Sequence, residues 1–283
     1  MQRPDLPAGF LRIPLAHRAL HGPGRPENSA AAIRAALAAG YGIEIDLQGS
    51  ADGQAMVFHD ATLDRMTAAS GPVRARTAAE LDRIALKGGD GAGIPTLTAV
   101  LALVAGRVPL LIEIKDQSGR MGPVDEVLER ATAAALADYE GPVAVMSFNP
   151  HSVAAMARHA PAVARGLTTY AFPPKDVPEA ASDPGIEAGR RALAAIEAFD
   201  RVGASFISHD HRDLDRSRVA ELKARGVPVL TWTIRSPEEE AQARRIADNV
   251  TFEHYLPPLP GSVRGAPAGA KALSRRPAVE MRN

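Results

Sequence analysis

The sequence lacks cysteine, an excess of either charge and any long apolar run. With no cysteine among its 283 residues, disulfides and thiolate metal sites are excluded. Lysine and arginine together number 33, as do aspartate and glutamate, so no net charge favours nucleic acid or an anionic membrane surface. No window approaches the roughly 18 apolar residues of a membrane span, and the N-terminus lacks a signal-peptide pattern. We therefore expect a cytoplasmic protein with no nucleic-acid partner and no stable membrane association.

What the sequence does contain is a regular alternation of short apolar runs and alanine-rich stretches. Eight runs are rich in strand-forming residues: 12–18, 42–47, 109–115, 143–148, 164–170, 204–210, 227–234 and 249–253. Helical patterns lie between them, at 27–40, 125–139, 151–160, 187–203, 217–226 and 236–248. Near-continuous apolar strands are typical of a parallel sheet that is covered on both faces. Eight strand–helix units predict an α/β fold, a TIM (β/α)8 barrel, as a single domain over residues 1–255.

One run breaks this alternation. "AMVFHD" (55–60) follows the second strand after only seven residues, whereas a parallel crossover needs a dozen or more. Asp52-Gly53 is a strong hairpin turn, so we expect an antiparallel companion strand that carries His59 toward the end of the second strand. A small insertion of about 60–108 follows, with two short helices. The tail at 256–283, rich in proline, glycine, alanine and basic residues, is predicted to be disordered.

The ends of the strands predict the site, because the chemistry of a TIM barrel lies at the C-terminal ends of its strands. Glu44 and Asp46 end the second strand, and Glu113 and Lys115 end the third. Residues i and i+2 of a strand point the same way, so these side chains enter the barrel mouth together. Three carboxylates there need strong compensation. A divalent cation would supply it, and oxygen-only ligands favour Mg²⁺ or Ca²⁺; the alternative is an ion-pair network in which Lys115 neutralises Glu113.

Histidine and cationic residues complete the set at the strand ends. The first strand ends in His17-Arg18, and the hairpin strand brings His59. Two imidazoles can serve as general base and general acid near neutral pH. Arg18 and Lys115 suit an anionic group such as phosphate. Together these residues predict a metal-dependent phosphodiesterase.

Several stretches resemble the glycerophosphodiester phosphodiesterase family. "AHRALHGPGRPENS", "GIEIDLQGSADGQAMVFHDATLDRMT", "IPTL" and "LLIEIK" carry the resemblance, and "VMSFNP" and "VLTWTI" extend it more weakly, so that it spans roughly residues 13–253. It implies a TIM barrel that depends on one divalent cation and hydrolyses a small-molecule glycerophosphodiester to glycerol 3-phosphate and an alcohol. In this family's mechanism the glycerol 2-hydroxyl attacks to give a cyclic phosphate, which water then opens.

The resemblance also implies a role for each site residue. The matching positions are His17 and His59 for the acid/base pair, Glu44, Asp46 and Glu113 for the metal ligands, Arg18 for a phosphate contact, Lys115 for the lysine beside the third ligand, and Trp232 for an aromatic lining of the substrate cleft. Which histidine is the acid stays open. Three positions depart from the family pattern: Ala19 replaces a glycine, Arg235 an asparagine and Glu253 an aspartate. A glycine position that needs φ > 0 would cost Ala19 about 1 kcal/mol.

Two other functions remain as alternatives. A lysophospholipase D-like or sphingomyelinase D-like enzyme would share the barrel and the site, but it would need an apolar groove, and aromatic residues make up only 4% of the chain. A catalytically silent, phosphodiester-binding barrel should have lost one of the acid/base or metal residues, and all five are present. The substrate head group, the choice between Mg²⁺ and Ca²⁺ and the oligomeric state are left open.

Overall fold

Eight parallel strands close into a barrel in the computed structural model, which describes residues 3–177, 179 and 182–260. The strands of this part of the chain are β1 (Leu15–Ala16), β2 (Gly42–Gly49), β3 (Ala55–Val57), β4 (Leu110–Ile114), β5 (Val143–Ser147), β6 (Ala164–Thr169), β7 (Phe206–Asp210), β8 (Val229–Ile234) and β9 (Asn249–Phe252). All except β3 are parallel, and β1 pairs with both β2 and β9, which closes the ring. The predicted TIM barrel is thus confirmed.

The first barrel strand is shorter than predicted. The apolar pattern indicates residues 12–18, but β1 comprises only Leu15–Ala16. The backbone leaves the extended conformation at Arg18 (φ 52°) and Ala19 (φ 64°), and strand pairing cannot continue through two left-handed residues. The turn that results projects His17 and Arg18 over the mouth of the barrel.

Helices cover the outside of the barrel. They are α1 (Ala30–Ala39), α2 (Ala78–Leu81), α3 (Leu97–Val104), α4 (Val127–Leu136), α5 (Pro150–His159), α6 (Pro184–Ala194), α7 (Ala198–Arg201), α8 (Ser217–Ala224) and α9 (Pro237–Ala243). α1 lies within the helical pattern predicted at 27–40: the Ser29 side chain accepts a hydrogen bond from the backbone N–H of Ala32, and Gly40 ends the helix at φ 79°. The single helix predicted at 187–203 is wrong, because Ile196 at φ 52° divides it into α6 and α7.

The hairpin prediction is confirmed, and the insertion is smaller than expected. β3 runs antiparallel to β2, with Val57 opposite Leu47. The segment between β3 and α3 has a hydrophobic cluster of its own: Met56, Phe58, Leu63, Val73, Leu81, Leu86 and Ile94. In contrast, α3 packs against α1 and α4 in the outer helix layer, although the sequence pattern placed it in the insertion.

The N-terminal end of the barrel is closed by apolar side chains. One buried cluster joins Leu6, Phe10, Leu15, Leu111, Ala144, Met146, Ala164, Phe206 and Leu230. The side-chain amide of Asn249 donates hydrogen bonds to the carbonyls of Phe10 and Ile13, both at 2.7 Å. This packing leaves the opposite end, where the strands terminate, as the open mouth.

Beyond the last strand the chain continues along the barrel. The Tyr41 hydroxyl donates to the carbonyl of Pro257 at 2.6 Å, and Leu259 packs against the main core. The start of the predicted disordered tail is therefore attached to the barrel, while its residues 261–283 lie outside the described part of the chain. Among the helices described, none has the length and apolarity that crossing a membrane requires.

Candidate active site

Three buried carboxylates meet at the mouth of the barrel, as the strand-end pattern predicts. Glu44 and Asp46 project from β2, and Glu113 projects from β4, where it lies opposite Asp46 in the sheet. Each is at most 6% exposed. One oxygen from each lies within 4.8 Å of an oxygen of the other two, so a single cation can contact all three.

Lys115 is the nearest positive charge to these carboxylates. Its ammonium lies 2.7 Å from Asp46 Oδ1 and also donates a hydrogen bond to Glu113. Burial, reinforced by the charges of Asp46 and Glu113, raises the pKa of Glu44 well above its ordinary value, and burial likewise raises the pKa of Glu113. Burial opposes ionisation of Asp46 too, but Lys115, with the other basic groups nearby, outweighs it and lowers the pKa of Asp46. One lysine therefore does not satisfy three carboxylates.

Arg18 reaches the same cluster from the end of β1. Its backbone N–H donates to Glu44 Oε2 at 2.8 Å, and its Nη1 donates to Glu27 Oε1 at 2.9 Å. Its Nε lies 3.6 Å from Asp46 Oδ2 and is buried without a hydrogen-bond partner within the described residues. The guanidinium is thus held in place with donor capacity unused.

His17 is held by a carboxylate on the neighbouring strand. Its Nδ1 lies 2.7 Å from Glu253 Oε2, and the other oxygen of Glu253 accepts a hydrogen bond from Arg235 Nε at 2.8 Å. Burial lowers the pKa of His17, although Glu253 acts in the opposite direction. Glu253 and Arg235, two of the three positions that depart from the family pattern, therefore contact each other, and Glu253 also contacts His17.

His59, which follows the hairpin strand β3, has an equivalent carboxylate partner. Its Nδ1 lies 2.7 Å from Asp60 Oδ1, and Asp60 accepts hydrogen bonds from Arg65, the Nε bond at 2.6 Å. Burial lowers the pKa of His59, despite the opposing charge of Asp46. In both histidines Nδ1 is occupied by a carboxylate, so Nε2 is the nitrogen left for a substrate.

Three further residues join the site that the strand-end pattern does not predict. Glu27 accepts hydrogen bonds from Arg18 and from Arg65, which connects the two halves of the mouth. Asn28, at φ 59°, donates to Asp46 Oδ2 at 2.9 Å and accepts from the Asp46 backbone N–H at 3.2 Å. The signal for Glu27 and Asn28 is the stretch "PENS" just before α1, whereas Arg65 has no such signal.

Trp232 lies in β8, where it pairs with Asp210 at the end of β7. Its indole N–H donates to the carbonyl of Ser208 at 3.0 Å, and its ring meets Phe148 edge to face at 5.6 Å. Tyr170 packs against Phe148 at 5.9 Å. All three rings are partly exposed, so they form an aromatic wall, here defined as Phe148, Tyr170 and Trp232.

Comparison with known proteins agrees with this geometry. The sequence profile of the glycerophosphoryl diester phosphodiesterase family matches residues 17–251. The chain belongs to this family. Among its relatives is YhdW of Bacillus subtilis (strain 168), a proposed glycerophosphodiester phosphodiesterase, which is 28% identical over 238 residues, covering 81% of this chain and 88% of that protein. The resemblance found in the sequence motifs is thereby confirmed.

Solved structures of similar proteins share the barrel. An Oleispira antarctica phosphodiesterase in complex with the product sn-glycerol-3-phosphate has a TM-score of 0.69 at 24% identity, over 85% of this chain and 93% of that one. A glycerophosphodiester phosphodiesterase from Agrobacterium tumefaciens has a TM-score of 0.60 at 25% identity, over 84% and 94% of the two chains. Membership of the family, together with this fold, supports a phosphodiester hydrolase.

Proposed function

We propose that this chain hydrolyses small-molecule glycerophosphodiesters to glycerol 3-phosphate and an alcohol, with His17 and His59 as the acid/base pair and Mg²⁺ or Ca²⁺ at Glu44, Asp46 and Glu113. The observation that carries the proposal is the presence of two histidines, each held at Nδ1 by a carboxylate, beside three buried carboxylates, of which Asp46 is close enough for its charge to act on both histidines. The absence of cysteine is compatible with the proposed cytoplasmic location.

The three carboxylates fit a hard divalent cation. Burial and mutual repulsion raise the pKa values of Glu44 and Glu113, which is the behaviour of ligands that lack sufficient positive charge. Their oxygen-only donor set suits Mg²⁺ or Ca²⁺. When bound, such a cation supplies stabilisation of the negative charge that develops on the phosphate oxygens.

Arg18 and Lys115 are the groups that would hold the phosphate. Arg18 Nε is buried without a partner in the described part of the chain, and an orphaned buried donor is costly unless a ligand satisfies it. A guanidinium can bind phosphate through two parallel hydrogen bonds, whereas an ammonium acts as a point charge. Trp232 and the aromatic wall would border the rest of the substrate.

The two histidines supply the proton transfers. A neutral imidazole whose Nδ1–H is held by a carboxylate presents the lone pair of Nε2, so one histidine can accept the proton of the attacking glycerol 2-hydroxyl. The other, protonated and stabilised by its own carboxylate, donates a proton to the leaving alcohol. The cyclic phosphate that the family mechanism implies is then opened by water with the roles reversed. Each proton transfer contributes about 10²–10⁴ in rate.

The test is a substrate panel with and without chelator. Glycerophosphocholine should release glycerol 3-phosphate, the chelator should abolish this release, and either Mg²⁺ or Ca²⁺ added back should restore it. Lysophosphatidylcholine in a parallel reaction tests the lysophospholipase D alternative. Full activity in the presence of the chelator, or binding of the diester without product over long incubation, would contradict the proposal.

A further inference from the structure

A second group of metal-binding side chains lies beside the carboxylate cluster at the mouth. His17, His21 and Glu253 each bring one ligating atom within 4.8 Å of the other two. Glu253 Oε2 lies 2.7 Å from His17 Nδ1 and 3.6 Å from His21 Nε2. One carboxylate oxygen therefore lies within reach of two imidazole nitrogens.

We propose that His17, His21 and Glu253 form an inhibitory site for a divalent transition-metal ion of the zinc class, distinct from the oxygen-only site of Glu44, Asp46 and Glu113. The inhibitory part of this inference rests on the proposed role of His17 in catalysis. The binding part does not, because it depends only on the three side chains.

The donor set decides the class of ion. Two imidazole nitrogens and one carboxylate oxygen are characteristic zinc ligands, whereas Mg²⁺ and Ca²⁺ prefer oxygen alone. Metal–ligand bonds of about 2.0–2.1 Å at tetrahedral angles place donor atoms about 3.3 Å apart. The two measured separations of 2.7 and 3.6 Å lie on either side of that value. Entry of the ion thus requires the first pair to move apart by about 0.6 Å and the second to move together by about 0.3 Å.

The surroundings leave the ligand atoms available. Arg235 occupies the other oxygen of Glu253 and so orients Oε2 toward the histidines, in the manner of the outer partners that position metal ligands. The side chains of His17, His21 and Glu253 are 17%, 18% and 10% exposed, so an ion can enter from solvent. A water molecule would complete the coordination.

An ion at this site would disable His17. Coordination through Nδ1 displaces the proton directed at Glu253, and the proton of the neutral imidazole then resides on Nε2. Nε2 no longer has a lone pair, so His17 cannot accept a proton from a hydroxyl. Because His17 must alternate between acid and base across the two steps, turnover stops even while the oxygen-only site keeps its own cation.

Two measurements test the proposal on the full chain, with His21→Ala as the variant. His151→Ala is the matched control, because His151 lies exposed at the start of α5. The first measurement titrates Co²⁺ and follows its visible absorption, which is intense in a four-coordinate site with imidazole ligands and weak in an oxygen-only octahedral one. The second titrates Zn²⁺ into the assay with excess Mg²⁺ and expresses inhibition relative to each protein's own activity before zinc is added.

We expect wild type and His151→Ala to show the intense cobalt bands and to share one inhibition constant. His21→Ala should lose the bands, and its inhibition constant should rise by more than the roughly 10–100-fold that losing an outer partner costs. Equal spectra in wild type and His21→Ala would overturn the metal site. If His21→Ala loses the cobalt bands but has the same zinc inhibition constant as wild type, the inhibitory role is overturned. If no protein in the set releases product, the proposed function fails, while the cobalt titration still decides the site.

Discussion

The family has glycine at the position of Ala19, and Ala19→Gly measures how much the alanine changes the free energy of unfolding. Ala19 adopts φ 64°, a left-handed conformation that costs a non-glycine residue about 1–2 kcal/mol. Its backbone N–H lies 2.9 Å from the Glu44 carbonyl, a contact that glycine also makes. The substitution therefore changes strain and packing without removing this contact.

Three contributions of similar size decide the outcome. Glycine relieves the left-handed strain, about 1–2 kcal/mol in favour of the folded state. Against this, the Ala19 methyl is packed in the main core at 2% exposure, and losing a buried methyl costs about 0.8 kcal/mol. Glycine also gives the unfolded chain more conformational freedom, which lowers the free energy of unfolding by about 0.4–1 kcal/mol. We therefore expect the free energy of unfolding of Ala19→Gly to stay within about 1 kcal/mol of wild type.

Ala105→Gly is the matched control for this comparison. Ala105 ends α3 at φ 48° and is exposed, so its replacement relieves the same strain without losing buried area. Urea unfolding of both variants in one buffer gives the two free energies. Ala105→Gly should be the more stable variant by about 0.8 kcal/mol. If Ala19→Gly gained more stability than Ala105→Gly, burial of the methyl would not be what offsets the strain.

Replacing Asn28 tests its buried hydrogen bonds to Asp46. Asn28→Ala should lower the free energy of unfolding by about 1–3 kcal/mol, because Asp46 loses its buried amide partner. Asn28→Gly loses the same hydrogen bonds but accepts φ 59°, so it should be less destabilised, and equal losses in the two variants would contradict the role of the backbone conformation. Burial raises the pKa of Glu44, so the stability that Glu44 contributes is complete below its unfolded-state pKa and is lost as pH rises through its folded-state pKa. In the presence of chelator, the free energy of unfolding of Glu44→Gln should therefore rise relative to that of wild type as pH increases. A difference that does not change with pH would refute the raised pKa. Glu253→Gln removes a contact that raises the pKa of His17, and Asp60→Asn removes one that raises the pKa of His59. Each variant should therefore shift one limb of the pH–rate profile to lower pH, and the limb that moves shows whether that histidine is the base or the acid. A shift to higher pH would contradict the pairing.

Most of the fold follows from local patterns that the sequence displays directly. Apolar runs between alanine-rich helices predict the eight barrel strands, and Asp52-Gly53 with a seven-residue link predicts the β2–β3 hairpin. The exceptions lie at residues other than glycine that have a positive φ. Arg18 and Ala19 shorten β1, and Ile196 divides one predicted helix. Residue type alone does not indicate such conformations, because tertiary contacts impose them.

The candidate site is predictable to the extent that strand ends and strand alternation determine it. Asp46 and Glu113 are adjacent because β2 and β4 pair in register. The polar strand end of β5 has a structural role: Asn149, which follows β5, caps α5 and binds Asp116 in a neighbouring loop. The bridge from Glu27 to Arg65 joins residues 38 positions apart, and no local periodicity indicates such a contact.

The proposed acid/base roles of His17 and His59 are tested by the turnover of glycerophosphocholine by His17→Ala and His59→Ala in excess Mg²⁺, with His151→Ala as the control. We expect each site variant to release glycerol 3-phosphate about 10²–10⁴-fold more slowly than wild type, while binding of glycerol 3-phosphate persists and the control retains wild-type turnover. Wild-type turnover in either His17→Ala or His59→Ala would show that the replaced histidine is not part of the acid/base pair.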